Sequence, residues 1–286
     1  MKRILNCRAS DFSTSLSGEE LAQAIASSEG RVVMAEVSTS AAPLYAEVTN
    51  AELLCAFGAD LILLKGLNCQ QQQLAGSSPA FGETAVAQAK RLTGRLTGVS
   101  LEVLEDEVPG GGNVFNRENL QLIQDADFIC LTGYDKPGVT PQRMLEVIHQ
   151  AREGYSKMIL VAKFYSKGLA QPEEYASYIA AGAQGVIIPA PGSCRGASEI
   201  TVSAAIHAVQ QAPGIAVTTI SSSQEGADCT TVRDIGLASK RCGSDMHNFG
   251  DAGVAGIADP ESVKALSIAI RGRRHTYVRM AASLNR

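Results

Sequence analysis

Eight short aliphatic runs punctuate the chain, starting at Arg31 (RVVMAEV), Leu61 (LILLKG), Gly98 (GVSLEVL), Phe128 (FICLTG), Met158 (MILVAKF), Gly185 (GVIIPA), Ile215 (IAVTTIS) and Met246 (MHNFG). They return every 27 to 37 residues, the length of one strand-helix unit. Apolar residues in these runs show little alternation, which is the pattern of strands covered on both faces in a parallel sheet. Between them, apolar spacing near i, i+3, i+4 predicts helices over 50–57, 83–92, 143–153, 173–181, 198–209, 231–242 and 261–270. Four strands are entered through similar lead-ins: FGAD before Leu61, QDAD before Phe128, AGAQ before Gly185 and CGSD before Met246. A glycine in such a lead-in ends the preceding helix by accepting a left-handed conformation. Eight units predict an α/β fold of the closed (β/α)8 type, a single TIM barrel, rather than an open doubly wound sheet. A dinucleotide-binding sheet would carry G-x-G-x-x-G after its first strand, where Ser38–Pro43 stand instead.

The repeat assigns 31–270 to the barrel and leaves 1–30 as an N-terminal extension and 271–286 as a basic C-terminal tail. The extension reads as helical over 19–27 behind a Ser17-Gly18 start, and could plug the barrel bottom or make a subunit contact. The tail, with Arg271, Arg273, Arg274, His275, Arg279 and Arg286, reads as a solvated final helix or an oligomer contact, and a homo-oligomer is expected. At 45 % hydrophobic and 19 % charged residues the chain is too apolar for disorder. A formal charge of -4 without a basic stripe argues against nucleic acid as a partner. No apolar run approaches the roughly 18 to 20 residues of a membrane span, so no membrane partner is expected. The seven scattered cysteines lack any C-x-x-C pair and fit buried thiols in a reducing, cytoplasmic setting.

Chemistry in a barrel sits at the C-terminal ends of the strands, where the βα loops converge. Taking alternate residues as one face, Glu36 follows Val32 and Met34, Lys65 follows Leu61 and Leu63, Glu102 follows Gly98 and Ser100, and Lys163 follows Ile159 and Val161. Two acids and two lysines are thus expected at one mouth as catalytic residues. A structural ion-pair network is the plainer alternative for any one of them. Lys163, flanked by Lys167, could attack a carbonyl as a neutral amine or stay charged and hold a carboxylate or phosphate. The loops after strands seven and eight, with Ser222, Ser223 and Gly226 in one and Gly250 and Gly253 in the other, are candidates for phosphate binding, since barrels often hold phosphate there. Pro109–Asn113, rich in glycine, reads as a lid or a long loop. His149 and His207 fall inside helical patterns. His247 with Asp251, or Glu36 with Glu102, could hold a divalent cation, magnesium or manganese by their oxygen-rich character. Cys194 is the best-placed thiol, though no base is assigned to it.

Several segments taken together resemble an uncharacterised bacterial TIM-barrel family labelled PEP phosphonomutase-like, more distantly similar to BtpA-like barrels. They are AEV at Ala35, VTNAE at Val48, FGADLILLKG at Phe57, LTGYDKPGVT at Leu131, PAPGS at Pro189, SQEGAD at Ser223, GDAG at Gly250 and SIAIRGRRHTY at Ser267. The resemblance implies a TIM barrel and a phosphate-binding site; it supplies no catalytic residue. The reading that combines these features is an enzyme acting on a small phosphorylated or carboxylated metabolite by lyase or isomerase chemistry. A phosphohydrolase or nucleosidase, and a non-catalytic ligand sensor or assembly factor, are the alternatives.

Overall fold

The computed structural model describes residues 2–12 and 14–285, so Arg286 lies outside the described residues. Parallel strands β1 (Val32–Ser38), β2 (Leu61–Lys65), β3 (Leu96–Val103), β4 (Phe128–Gly133), β5 (Met158–Lys163), β6 (Gly185–Pro189), β7 (Ile215–Ile220) and β8 (Met246–Phe249) pair in sequence order, and β8 returns to β1. This is the closed (β/α)8 TIM barrel that the eight units imply. Helix α1 (Gly18–Ala26) precedes it, and α2 (Asn50–Ala56), α3 (Ala85–Thr93), α4 (Arg117–Leu122), α5 (Pro141–Gly154), α6 (Pro172–Ala180), α7 (Glu199–Gln211), α8 (Cys229–Arg241) and α9 (Pro260–Met280) follow the strands in turn. Six of these outer helices coincide closely with the predicted ones, and α9 starts with the predicted 261–270 but runs on to Met280. The six residues of α4 are too few for an apolar period to register. Thr49, Thr84, Asn116, Thr140 and Ser198 cap their helices by accepting a first-turn N–H, the role that suits short hydroxyl and amide side chains. No helix among the described residues is long and apolar enough to cross a membrane.

The polar lead-ins have a shared structural task. The N–H groups of Asp60, Asp127, Gln184 and Asp245 donate to the carbonyls of Val33, Thr97, Ile159 and Ala216. Their side chains accept from the N–H groups of those same residues at 2.8, 2.8, 2.9 and 2.9 Å. Each even-numbered strand is thereby clamped to the strand before it, and its register is set, because a one-residue slip would break both bonds and turn every side chain to the wrong face. The stagger carries through the barrel. Val32 at the bottom of β1 faces Met246, and the row continues through Val217, Ile187, Ala162 and Thr132 to Glu102 at the top of β3.

Inside the lower barrel, Val32, Met34, Leu61, Leu63, Phe128 and Leu160 form an apolar core. Gly98 is the one interior position of β3 that lets the Phe128 ring in, since a Cβ there would sit 2.3 Å from that ring. The N-terminal extension closes the floor: Ile4, Phe12, Leu21 and Ile25 pack into the same core, so it acts as a plug. The basic tail is the second half of α9, beyond a break at Gly272 where φ is 76°. It is not uniformly solvated. Arg271 and Arg279 are buried and converge on the buried carboxylate of Asp60, with Arg279 Nε 2.6 Å from Oδ1.

Burial opposes the charge on Asp60, yet Arg271, Arg279 and the Val33 N–H hold its carboxyl below the ordinary aspartate range. A depressed pKa gives stability that is present above that range and lost as pH falls through it. Asp60→Asn is therefore expected to cost about 3–5 kcal/mol at neutral pH, with a smaller difference from wild type as the buffer is acidified below pH 4. Urea denaturation at a series of pH values reads both effects.

Candidate active site

Counting up each strand from the apolar core, the side chains that reach the mouth on the interior face come from β1, β2, β3, β7 and β8. Lys65 Nζ stands 3.1 Å from Glu36 Oε2 and 3.4 Å from the Tyr134 hydroxyl. Asn248 Nδ2 donates to Glu36 Oε1 at 2.7 Å and to Thr219 Oγ1 at 2.9 Å, so two strands orient the Glu36 carboxylate toward the lysine. Glu102 lies higher, at the rim, paired with Lys136 from the loop after β4. Tyr134 is flanked by Phe164, with ring centroids 6.1 Å apart.

Three of the four charged strand-end residues thus share the mouth, and Lys163 does not. In β5 it is Met158, Leu160 and Ala162 that face the interior, whereas Ile159 and Val161 belong to the outer core beneath the helices. Lys163 follows the outer set. Its side chain is 1 % exposed; Nζ donates to the Tyr134 carbonyl at 2.8 Å and lies 4.3 Å from the centre of the Tyr165 ring. A Schiff-base role at the mouth is excluded by that direction. Instead the ammonium ties together the chain leaving β4 and the chain leaving β5. Burial lowers its pKa, against the nearby carboxylates of Asp135 and Glu174.

The same parity separates the suggested metal pair. His247 points outward from β8, Nε2 to the Gly30 carbonyl at 3.1 Å and Nδ1 to Thr218, and burial pushes its pKa down to about 4. Asp251 lies beyond the other end of that strand, where its carboxylate accepts the Gly253 N–H. Glu36 and Glu102 are each engaged by a lysine. Among the described residues no group of three or more His, Cys, Asp and Glu side chains is arranged to hold a metal ion. Cys194 is half-buried and burial raises its pKa, which disfavours the thiolate. The glycine-rich segment after β3 is tied down by Cys69 N–H to Gly112 and Glu102 N–H to Asn113 carbonyl bonds, so it extends the strand end more than it forms a free lid.

The β7 and β8 loops are wound tightly. Ser222, Ser223 and Ala252 have φ of 59°, 73° and 53°. The N–H groups of Gly226 and Gly250 are bonded to the Ser223 and Ile220 carbonyls, and that of Gly253 to Asp251. These three are committed within the loops, which leaves Ser222 and Ser223 of the five expected phosphate ligands. What the winding does achieve is to turn Glu225 inward. Its side chain is 9 % exposed and its Oε2 has no hydrogen-bond partner among the described residues. Burial, then the charges of Asp251 and Glu36, raise its pKa against the N–H groups of Glu225 and Ser223 that favour ionisation. Lys65 has the opposite balance: burial works against its charge, but Glu36, Tyr134 and Asp251 hold its pKa above that of an ordinary lysine. Burial also raises the Tyr134 pKa, so its hydroxyl keeps its proton. Asn248 Oδ1 is a second buried acceptor without a partner among the described residues.

Sequence reasoning passed over Glu225, Asn248 and Tyr134. Glu225 sits inside the segment read as a phosphate loop, and Asn248 is the polar residue next to His247, on the face that turns out to be interior.

A family model described as "Domain of unknown function (DUF7916)" matches residues 5–286. No curated protein matches the chain. Among solved structures, the thiamine phosphate pyrophosphorylase from Pyrococcus furiosus is similar with a TM-score of 0.51 and 15 % identity, over 85 % of this chain and 96 % of that one. The YdjI aldolase from Escherichia coli K12 is similar with a TM-score of 0.52 and 10 % identity, over 91 % and 95 %. At these identities the likeness establishes the barrel. None of these matches carries the phosphonomutase-like or BtpA-like label.

Two stability measurements separate the residues of this site by position. Lys163→Met should cost about 1–3 kcal/mol, because the part-buried Tyr134 carbonyl loses its donor, and chemical denaturation will read it. Glu225→Gln should do the reverse at neutral pH: a raised carboxyl pKa is a stability loss that grows as pH rises from the ordinary glutamate range through the folded value. The variant is expected to match wild type near pH 4 and exceed its melting temperature at pH 7.

Proposed function

The chain belongs to the DUF7916 family, and for this barrel we propose acid–base catalysis of the lyase or isomerase type on a small metabolite carrying a carboxylate or phosphate near a carbonyl group. The observation that carries the reading is the Glu225 carboxyl, buried, with its pKa raised and one oxygen without a hydrogen-bond partner among the described residues, in a mouth whose ammonium is held charged. Raising a carboxyl pKa moves it toward the operating pH, which is where a general acid or base works best.

Lys65 and Tyr134 are the electrophilic side of the site. When a proton or a carbon substituent leaves the atom beside a carbonyl, negative charge builds on the carbonyl oxygen. An ammonium and a neutral phenol 3.4 Å apart offer that oxygen two donors that need no rearrangement. Glu36 holds Lys65 in place and charged, and Asn248 with Thr219 holds Glu36. Glu225 moves the proton. Asn248 Oδ1 is available to accept from a substrate hydroxyl. At the rim Lys136 is about half exposed and can exchange Glu102 for the anionic end of a substrate. Glu102 then serves to place Lys136. This assignment retains Glu36, Lys65 and Glu102 from the strand-end pattern, gives the proton transfer to Glu225, and leaves Lys163 out as a partner of the carbonyl or anion.

The test is a panel of phosphorylated and carboxylated carbonyl compounds incubated with the protein in D2O and followed by proton NMR. Deuterium incorporation beside the carbonyl, or cleavage there, is expected for at least one compound. Glu225→Gln and Lys65→Met should each lower the rate by about 10²–10⁴-fold, whereas Cys194→Ala should leave it unchanged. Full activity of Glu225→Gln would remove the proposed acid. Ligand-induced stabilisation without exchange or turnover would make the barrel a sensor.

A further inference from the structure

The opposite end of the barrel carries an unusual charge arrangement for a protein of net charge -4. Arg95, Arg271 and Arg279 are all buried. The carboxylate acting on all three among the described residues is Asp60, so the floor holds more positive charge than negative. Arg279 also donates to the carbonyls of Ile4 and Cys7, which brings the N-terminal segment against the second half of α9. Along that seam runs a pocket of about 400 Å³, with Arg8 on one wall, Arg274 and His275 on the other, and the Arg279 side chain contributing to its lining. Arg8, Arg274 and neighbouring Arg3 form no ion pair among the described residues. The charges of Arg31, Arg274, Arg271 and Arg3 all reach His275. Val278, Ala281 and Ala282 complete the wall with apolar surface.

We propose that this pocket binds a phosphate-bearing small molecule, with the anion between Arg8 and Arg274 and its organic part against Val278 and Ala282. Three considerations converge on that class. Exposed guanidiniums that form no ion pair among the described residues are strong, geometrically suited donors to phosphate oxygens; the Asp11 carboxylate, which accepts the Arg8 backbone N–H, is an acid whose charge reaches Arg8. The excess positive charge under the floor adds a field that only an anion relieves. The volume falls in the usual range of small-molecule pockets, roughly 300–1,000 Å³. A ligand there would join residues 5–8 to α9 and so reinforce the closure of the barrel floor, at the end away from the catalytic mouth. The inference does not depend on the chemistry assigned to that mouth.

Inorganic pyrophosphate is the probe, titrated calorimetrically into the full chain at constant ionic strength. Wild type should bind it saturably, and the Arg8→Ala/Arg274→Ala double variant about tenfold or more weakly, with Arg273→Ala as a control for an exposed arginine outside the pocket lining. Lys65→Met reports separately on the mouth and should leave this binding in place. Melting curves without ligand check that the variants, which alter exposed side chains, remain folded. No saturable binding by wild type overturns the proposal, as does unchanged affinity of the double variant, an equal loss in Arg273→Ala, or loss confined to Lys65→Met.

Discussion

Asp60 binds both ends of the chain to the barrel. Its backbone and side chain clamp β2 to Val33 of β1, while Arg271 and Arg279 approach the same carboxylate from α9. In an unbroken helix two residues eight apart lie on one face but about 12 Å apart along the axis, at ~1.5 Å per residue. Both would have to reach along the axis toward one carboxylate with fully extended side chains. The left-handed conformation of Gly272 breaks the helix between them and removes that obstacle. Arg279 in turn holds the carbonyls of Ile4 and Cys7, so the N-terminal plug depends on the same group. A buried charge is costly unless fully paired, which is why this contact ties the plug, the first two strands and the last helix into a single arrangement.

The clamp at Asp60 recurs at Asp127, Gln184 and Asp245, and its effect is felt far from the floor. Because register is set at the bottom of each strand pair, the alternation of side chains is set all the way up. That alternation delivers Glu36 and Lys65 to one side of the sheet and Lys163 to the other. Buried between the barrel and its helices, Lys163 still acts on the mouth indirectly, since it holds the carbonyl of Tyr134, the residue whose hydroxyl faces Lys65.

At the mouth, opposite demands are placed on neighbouring groups. Lys65 is kept charged by carboxylates that surround it, and those same carboxylates make it harder for Glu225 to ionise. One environment therefore yields a fixed cation and a carboxyl whose ionisation is opposed. The tight β7 loop, with two serines in left-handed conformation, turns Glu225 inward, and its burial is a strain that the fold tolerates and that acid–base chemistry can use.

Much of this was legible in the residues alone. Eight aliphatic runs at a regular interval imply a closed barrel, because strand and helix lengths are local quantities written in local periodicity. Ser17 marks a helix start for the same reason, and the polar lead-ins were visible as a repeated pattern before their bonding was. The side a residue faces was not legible where strands are covered on both faces. MILVAK is apolar at every position but the last, so nothing in it tells whether Ala162 or Lys163 looks inward, and in MHNF both His247 and Asn248 are polar. Nor could the sequence tell that the Gly250 N–H would be taken up by the Ile220 carbonyl at the end of β7, or that Arg271 and Arg279 would leave solvent for one carboxylate more than 200 residues away. Those outcomes depend on pairing between distant segments: local patterning determined the barrel, and only tertiary register decided which charges meet at its mouth and which seal its floor.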